Sequence, residues 1–131
     1  LTTRRQRQMC IRDSYNDART FQRIIDYCGF RPYLDFCIDS GSVEYRKPDV
    51  QIFNLVLEHW DALPHEVVII GDSLVEDINA AKELGAFSIQ TTHAISPQVA
   101  FNNEQVANQV FPDLAVQHLS QIPYLITAWS H

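Results

Sequence analysis

VVIIGDSLVEDINAAKELGA, residues 67–86, contains a complete strand-to-helix transition. Val67 to Ile70 is apolar on both faces, the pattern of a strand covered on both sides at the centre of a parallel sheet. Gly71-Asp72-Ser73 then interrupts the run, and Gly71 lets the backbone approach a neighbour closely. Beyond it, Leu74, Ile78, Ala81 and Gly85 recur at helical spacing, with Gly85 placed to end the helix. A strand that feeds a helix through a polar hinge is the building unit of α/β folds.

The flanking segments continue the alternation. Upstream, Asp17 to Phe30 sets Phe21, Ile24, Ile25 and Cys28 on one helical face, with Gly29 as the stop. Phe36 to Asp39 is a short apolar strand running into the Ser40-Gly41-Ser42 loop. Arg46-Lys47-Pro48-Asp49 precedes a helix whose buried face is Ile52, Phe53, Val56, Leu57 and Trp60; Pro48 opens it and Asp49 lies in its first turn. Downstream, Phe87 to Gln90 predicts another strand. Thr91 to Asn108 is polar and weakly patterned, which predicts a loop with one helical turn. Val110-Phe111 is expected as an edge strand, and Leu114 to Ile126 as a closing helix interrupted at Pro123. The fold class expected is α/β, a Rossmann-like doubly wound parallel sheet with its strand C-termini on one edge.

At 131 residues and 46% hydrophobic content the chain suits one domain with a real core. A net charge of -6 and a pI near 5.2 argue against nucleic acid or an anionic membrane as partner, and for a small metabolite. Cys10, Cys28 and Cys37 have no metal-type spacing and form an odd set, which favours a reducing cytoplasm over a disulfide scaffold. No apolar run reaches the length of a membrane span. Residues 1–14 differ from the rest: four arginines against one acid give +3, while the remaining 6 bases and 15 acids give -9. This segment is expected to be either a disordered basic arm or non-native, since RQRQMCIRDS resembles translated sequencing-adapter sequence; residues 15–131 form the domain proper.

Ligands of open parallel sheets bind beyond the carboxyl ends of the strands. Asp72 just past one such end and Asp77 in the following first turn can face one point, and hard carboxylate oxygens converging there suit Mg²⁺. The same residues also suit a plainer purpose: Asp72 or Ser73 as an N-cap, Glu76 and Asp77 as complements to the helix dipole. Lys47, before a proline at the mouth of a helix, would hold a fixed positive charge over the same edge, able to neutralise a phosphate. His59, His65, His93, His118 and His131 show no ligand spacing, and Trp60 and Trp129 read as packing residues.

YRKPDVQIFNLVLEHWDALPHEVVIIGDSLVEDINAAKELGA closely resembles the third and fourth motifs of the haloacid dehalogenase-like (HAD) hydrolase superfamily, in its phosphatase branch that includes phosphoglycolate phosphatase-like enzymes. The resemblance runs from about Tyr15 to Leu125. It implies a phosphatase of small phosphorylated metabolites that forms a phosphoaspartate with Mg²⁺. Lys47 would stabilise the nucleophile and the transferring group. Asp72 would be the direct metal ligand, Asp77 the outer or supporting one, and Gly71 and Ser73 would support the loop. The phosphate-binding hydroxyl of the second motif falls at Ser14. The family's first motif, D-x-D-x-T, is absent, for no two aspartates in this chain stand two residues apart. The helical cap domain is missing as well, so the chain is expected to be an N-terminally truncated core, inactive alone, with a central strand lost beside Val67 to Ile70. Glu44 stands where the family usually has glycine, and Ser42 where it often has glutamate.

Overall fold

Parallel pairing of short β-strands with helical crossovers organises the chain. The structure, a computed structural model, describes residues 8–12, 18–39 and 43–129. It comprises two compact units, Leu1–Arg46 and Lys47–His131.

In the first unit, β1 (Met9–Arg12) pairs in parallel with β2 (Phe36–Asp39), Met9 opposite Phe36 and Ile11 opposite Ile38. Helix α1 (Ala18–Tyr27) connects them, as the apolar periodicity from Asp17 to Phe30 predicts. Gly29 at φ 71° lets the chain leave the helix in a left-handed conformation. Ile25 and Ile38 are buried. The Arg31 guanidinium donates to Asp26 and to Gln22 Oε1, tying a short 3₁₀ turn (Arg31–Tyr33) back to α1. The hydrogen bond to Asp26 raises the Arg31 pKa above its ordinary value. β1 lies inside the segment 1–14, and its four residues pair in register with β2.

The second unit begins at α2 (Val50–Trp60), whose Ile52, Phe53 and Val56 are buried. Asp49 is the N-cap of this helix rather than a first-turn residue; its carboxylate accepts from the Gln51 N–H at 2.9 Å. A three-stranded parallel sheet follows, built from β3 (Val68–Gly71), β4 (Phe87–Thr91) and β5 (Leu114–Val116) in that order. β4 is thus the middle strand and β3 an edge of this sheet, with Ile70 40% exposed, which departs from the reading of Val67 to Ile70 as covered on both faces. Helix α3 (Asn79–Leu84) ends at Gly85, φ 87°, where the motif predicts its stop.

Three expectations fail downstream, each for a definable reason. Residues 91–108 hold a ten-residue helix, α4 (Pro97–Val106), because Ser96 caps it by accepting from the Val99 N–H and Pro97 opens it. Val110-Phe111 is not a strand, and Phe111 is 58% exposed. The last strand is instead β5, drawn to β4 by Asp113: Ser88 N–H donates to its carboxylate at 2.9 Å, and the Asp113 N–H donates to Ser88 Oγ at 3.0 Å. The closing helix α5 is Ile122–Trp129. Pro123 does not interrupt it, for it occupies the first turn, where a missing N–H costs nothing. Trp129 packs on Phe87, ring centroids 5.8 Å apart, as its reading as a packing residue predicts.

Candidate active site

The site sits at the carboxyl end of β3. After Gly71 the chain passes through Asp72 to Ser73, whose extended backbone and side chain form the N-cap, Ser73 Oγ accepting from the Glu76 N–H at 3.0 Å. The capping reading therefore holds for Ser73. The helix that follows does not begin as an α-helix. The Ser73 carbonyl accepts from both Asp77 N–H (3.0 Å) and Ile78 N–H (3.1 Å), and the Leu74 carbonyl from Asn79 N–H, so Leu74–Ile78 is a π-helical turn. Such wide turns carry one extra residue and change where side chains point relative to a regular helix.

Here the turn directs Asp77 inward. Its carboxylate is 7% exposed, and Oδ1 accepts from Lys47 Nζ at 2.8 Å; Lys47 is itself 15% exposed. Asp77 Oδ2 accepts from the Ser73 N–H at 3.3 Å. A buried carboxylate is tolerable only when paired and hydrogen-bonded, and both oxygens are engaged. Gly71 makes room for this group: a Cβ at position 71 would fall inside the Asp77 carboxyl, with the Asp77 Cβ 2.7 Å away. Gly71, Ser73, Lys47 and Asp77, four residues named from the sequence, thus meet in one place.

Asp72 is different. Its side chain is partly exposed and accepts no hydrogen bond among the described residues, while its backbone carbonyl accepts from Asn103 Nδ2 at 2.9 Å. Asn103 Oδ1 in turn accepts from the Leu74 N–H at 2.8 Å, and Asn103 is 8% exposed. Sequence reasoning missed Asn103 together with its helix; the Ser96-Pro97 capping signal could have revealed the helix, but nothing local marks the amide. Ser14 lies outside the described residues, two positions beyond the end of β1.

Hard, uncommitted carboxylate oxygen is what Mg²⁺ takes from a protein, often through one or two carboxylates with waters completing the shell. Asp72 offers such an oxygen at a strand end, so the donor chemistry fits. Asp77, with one oxygen on an ammonium and the other on an amide, is less open. Among the described residues no three His, Cys, Asp or Glu side chains form a metal-holding cluster.

Comparison with known proteins gives the family and the fold. The family model for haloacid dehalogenase-like hydrolases matches residues 10–85, over half the chain. The haloacid dehalogenase-like hydrolase domain-containing protein 3 of Xenopus laevis is 29% identical over 87 residues, covering 66% of this chain and 36% of the relative. The phospholysine phosphohistidine inorganic pyrophosphate phosphatase of Danio rerio is 35% identical over 57 residues, covering 44% of this chain and 21% of its own. A HAD hydrolase from Bacillus subtilis, solved bound to magnesium, superposes with a TM-score of 0.75 at 19% identity over 92% of this chain and 49% of that one. The chain therefore spans about a third of the Xenopus relative and about half of the Bacillus structure. The shared fold is α/β and Rossmann-like.

Proposed function

The chain belongs to the haloacid dehalogenase-like hydrolase family, and from that premise we propose that it is the C-terminal part of a Mg²⁺-dependent phosphatase of small phosphorylated metabolites. The phosphatase activity named for the Danio relative supports the substrate class. The observation that carries the reading is the buried Lys47–Asp77 pair at the end of β3, 2.8 Å long. Such a pair holds an ammonium in place without the reorganisation a solvated lysine would need, as transition-state stabilisation of a phosphoryl group demands.

In this proposal Lys47 offsets charge on the phosphoryl oxygens and steadies the attacking carboxylate. Asp77 keeps the Lys47 ammonium oriented, and the Ser73 N–H keeps Asp77 oriented. Asp72 would hold the cation, with Asp77 standing behind; Ser14 would donate to a phosphate oxygen. Mg²⁺, when bound, shields the phosphate from the surrounding acids. The nucleophile and the general acid would be the aspartates of a D-x-D-x-T motif in the part of the parent protein that precedes this chain. The nucleophile would attack phosphorus and displace the substrate alcohol, which the second aspartate protonates; water deprotonated by that same aspartate would then hydrolyse the phosphoaspartate to release phosphate.

The test is turnover of small phosphomonoesters by the full-length parent. Lys47→Ala and Asp72→Ala should each lower kcat at least about 100-fold. Wild-type rates in either variant would refute the reading, and turnover of a 2-haloacid undiminished by a chelator would point instead to a dehalogenase. The missing aspartate pair favours one rival reading, a non-catalytic binding or regulatory domain. An in-frame D-x-D-x-T in the gene upstream decides against that rival. The 131-residue chain by itself should hydrolyse no phosphomonoester.

A further inference from the structure

We propose that Asn103 is a positioning residue that aims the Asp72 carboxylate, an inference that rests on the phosphatase reading above. The observation is a two-point clamp. One amide, carried on α4, donates through Nδ2 to the Asp72 carbonyl (2.9 Å) and accepts through Oδ1 from the Leu74 N–H (2.8 Å). The groups it holds lie on either side of Ser73, so the clamp fixes the segment in which the strand becomes a π-helical turn.

Three features separate this from ordinary helix packing. First, Asn103 is the one buried residue of α4, a helix otherwise exposed or partly exposed, so its burial is spent on a polar contact rather than an apolar one. Second, the Leu74 N–H belongs to the first turn of its helix and has no partner within that turn; Asn103 supplies one. Third, both bonds go to backbone, so the clamp sets the path of the chain at Asp72 without engaging that residue's side chain. Among the described residues no donor reaches the Asp72 carboxylate, and the clamp acts on it through the backbone. Substituting partners of this kind, one step removed from the ligand, typically costs about 10- to 100-fold in metal affinity or activity.

Asparagine is specifically suited to the task because it presents one donor and one acceptor on a short stem. Aspartate keeps an acceptor for the Leu74 N–H but cannot donate to the Asp72 carbonyl, and it sets an anion against that oxygen. The two halves of the clamp can therefore be separated by substitution.

The experiment uses the full-length parent. Asn103→Ala and Asn103→Asp are compared with wild type in the Mg²⁺ concentration giving half-maximal activity, in the rise of Tm on adding Mg²⁺, and in amide hydrogen exchange of Leu74 without metal. Both variants should need about tenfold more Mg²⁺ and show a smaller Mg²⁺-induced rise in Tm. Leu74 exchange should quicken in Asn103→Ala and stay slow in Asn103→Asp. A merely structural asparagine would lower the metal-free Tm yet leave the Mg²⁺ requirement unchanged, and that result overturns the inference while the phosphatase reading stands. Wild-type parent without Mg²⁺-dependent turnover overturns both. If Asn103→Ala does not fold, Asn103→Asp decides by the same two Mg²⁺ measurements.

Discussion

Two ion pairs among the described residues, one in each unit, differ sharply in their exposure to water. In the first unit, Arg31 and Asp26 meet with side chains 52% and 61% exposed. In the second, Lys47 and Asp77 meet at 2.8 Å with side chains 15% and 7% exposed. The exposed pair exchanges solvation for contact at almost no gain, and salt screens it. The inner pair has given up most of its hydration, and Asp77 is held by a further hydrogen bond, so removing either partner leaves a charge in a site with little water. Burial, not ion-pair formation, turns two opposite charges into a site. Among the described residues the buried polar ones follow the same division: Ser73, Asp77, Ser88, Thr91 and Asn103 all lie in the second unit.

That contrast can be broken most directly at Asp77. Asp77→Ala leaves the Lys47 charge with little water and without its carboxylate, and should cost about 3 kcal/mol in denaturant unfolding. A loss below what the exposed pair shows would mean that the Lys47 ammonium simply swings to solvent. Ser88→Ala is a gentler probe inside the same unit. It removes the acceptor for the Asp113 N–H, while Asp113 keeps its bond to the Ser88 backbone, so about 1 kcal/mol is expected, read as a lower denaturation midpoint. The smallest effect belongs to the first unit: Arg31→Ala should leave Tm unchanged within error at moderate salt. A clear drop there would erase the distinction between the pairs.

Much of this was legible in the sequence because it was local. The run from Val67 to Ile70, the Gly85 stop and the apolar face from Ile52 to Val56 each follow from one repeating pattern acting over a few residues. Lys47 and Asp77 were legible separately, and 30 positions apart they do form a bond. What escaped was set by partners distant in the chain or by single capping residues. α4 lacks an apolar stripe, since its one buried residue is an asparagine, so periodicity could not reveal it. Leu114 to Val116 is too short to distinguish strand from helix until Asp113 reaches Ser88, 25 residues earlier. The π-helical turn leaves no pattern at all: one additional residue in a first turn is invisible to a period of 3.6.

Gly71 and Asp77 occupy overlapping space, since the volume a side chain at 71 would need is already filled by the carboxyl of 77. Under selection for folding, the two positions are constrained together. In a randomised library selected for folding, position 71 should accept larger residues only in clones that have also shortened position 77. Such clones would keep the strand and lose the anchor of Lys47. A route of single steps from this sequence to one with a bulkier residue at 71 therefore passes through Asp77 first, and gives up the ion pair before it gains anything.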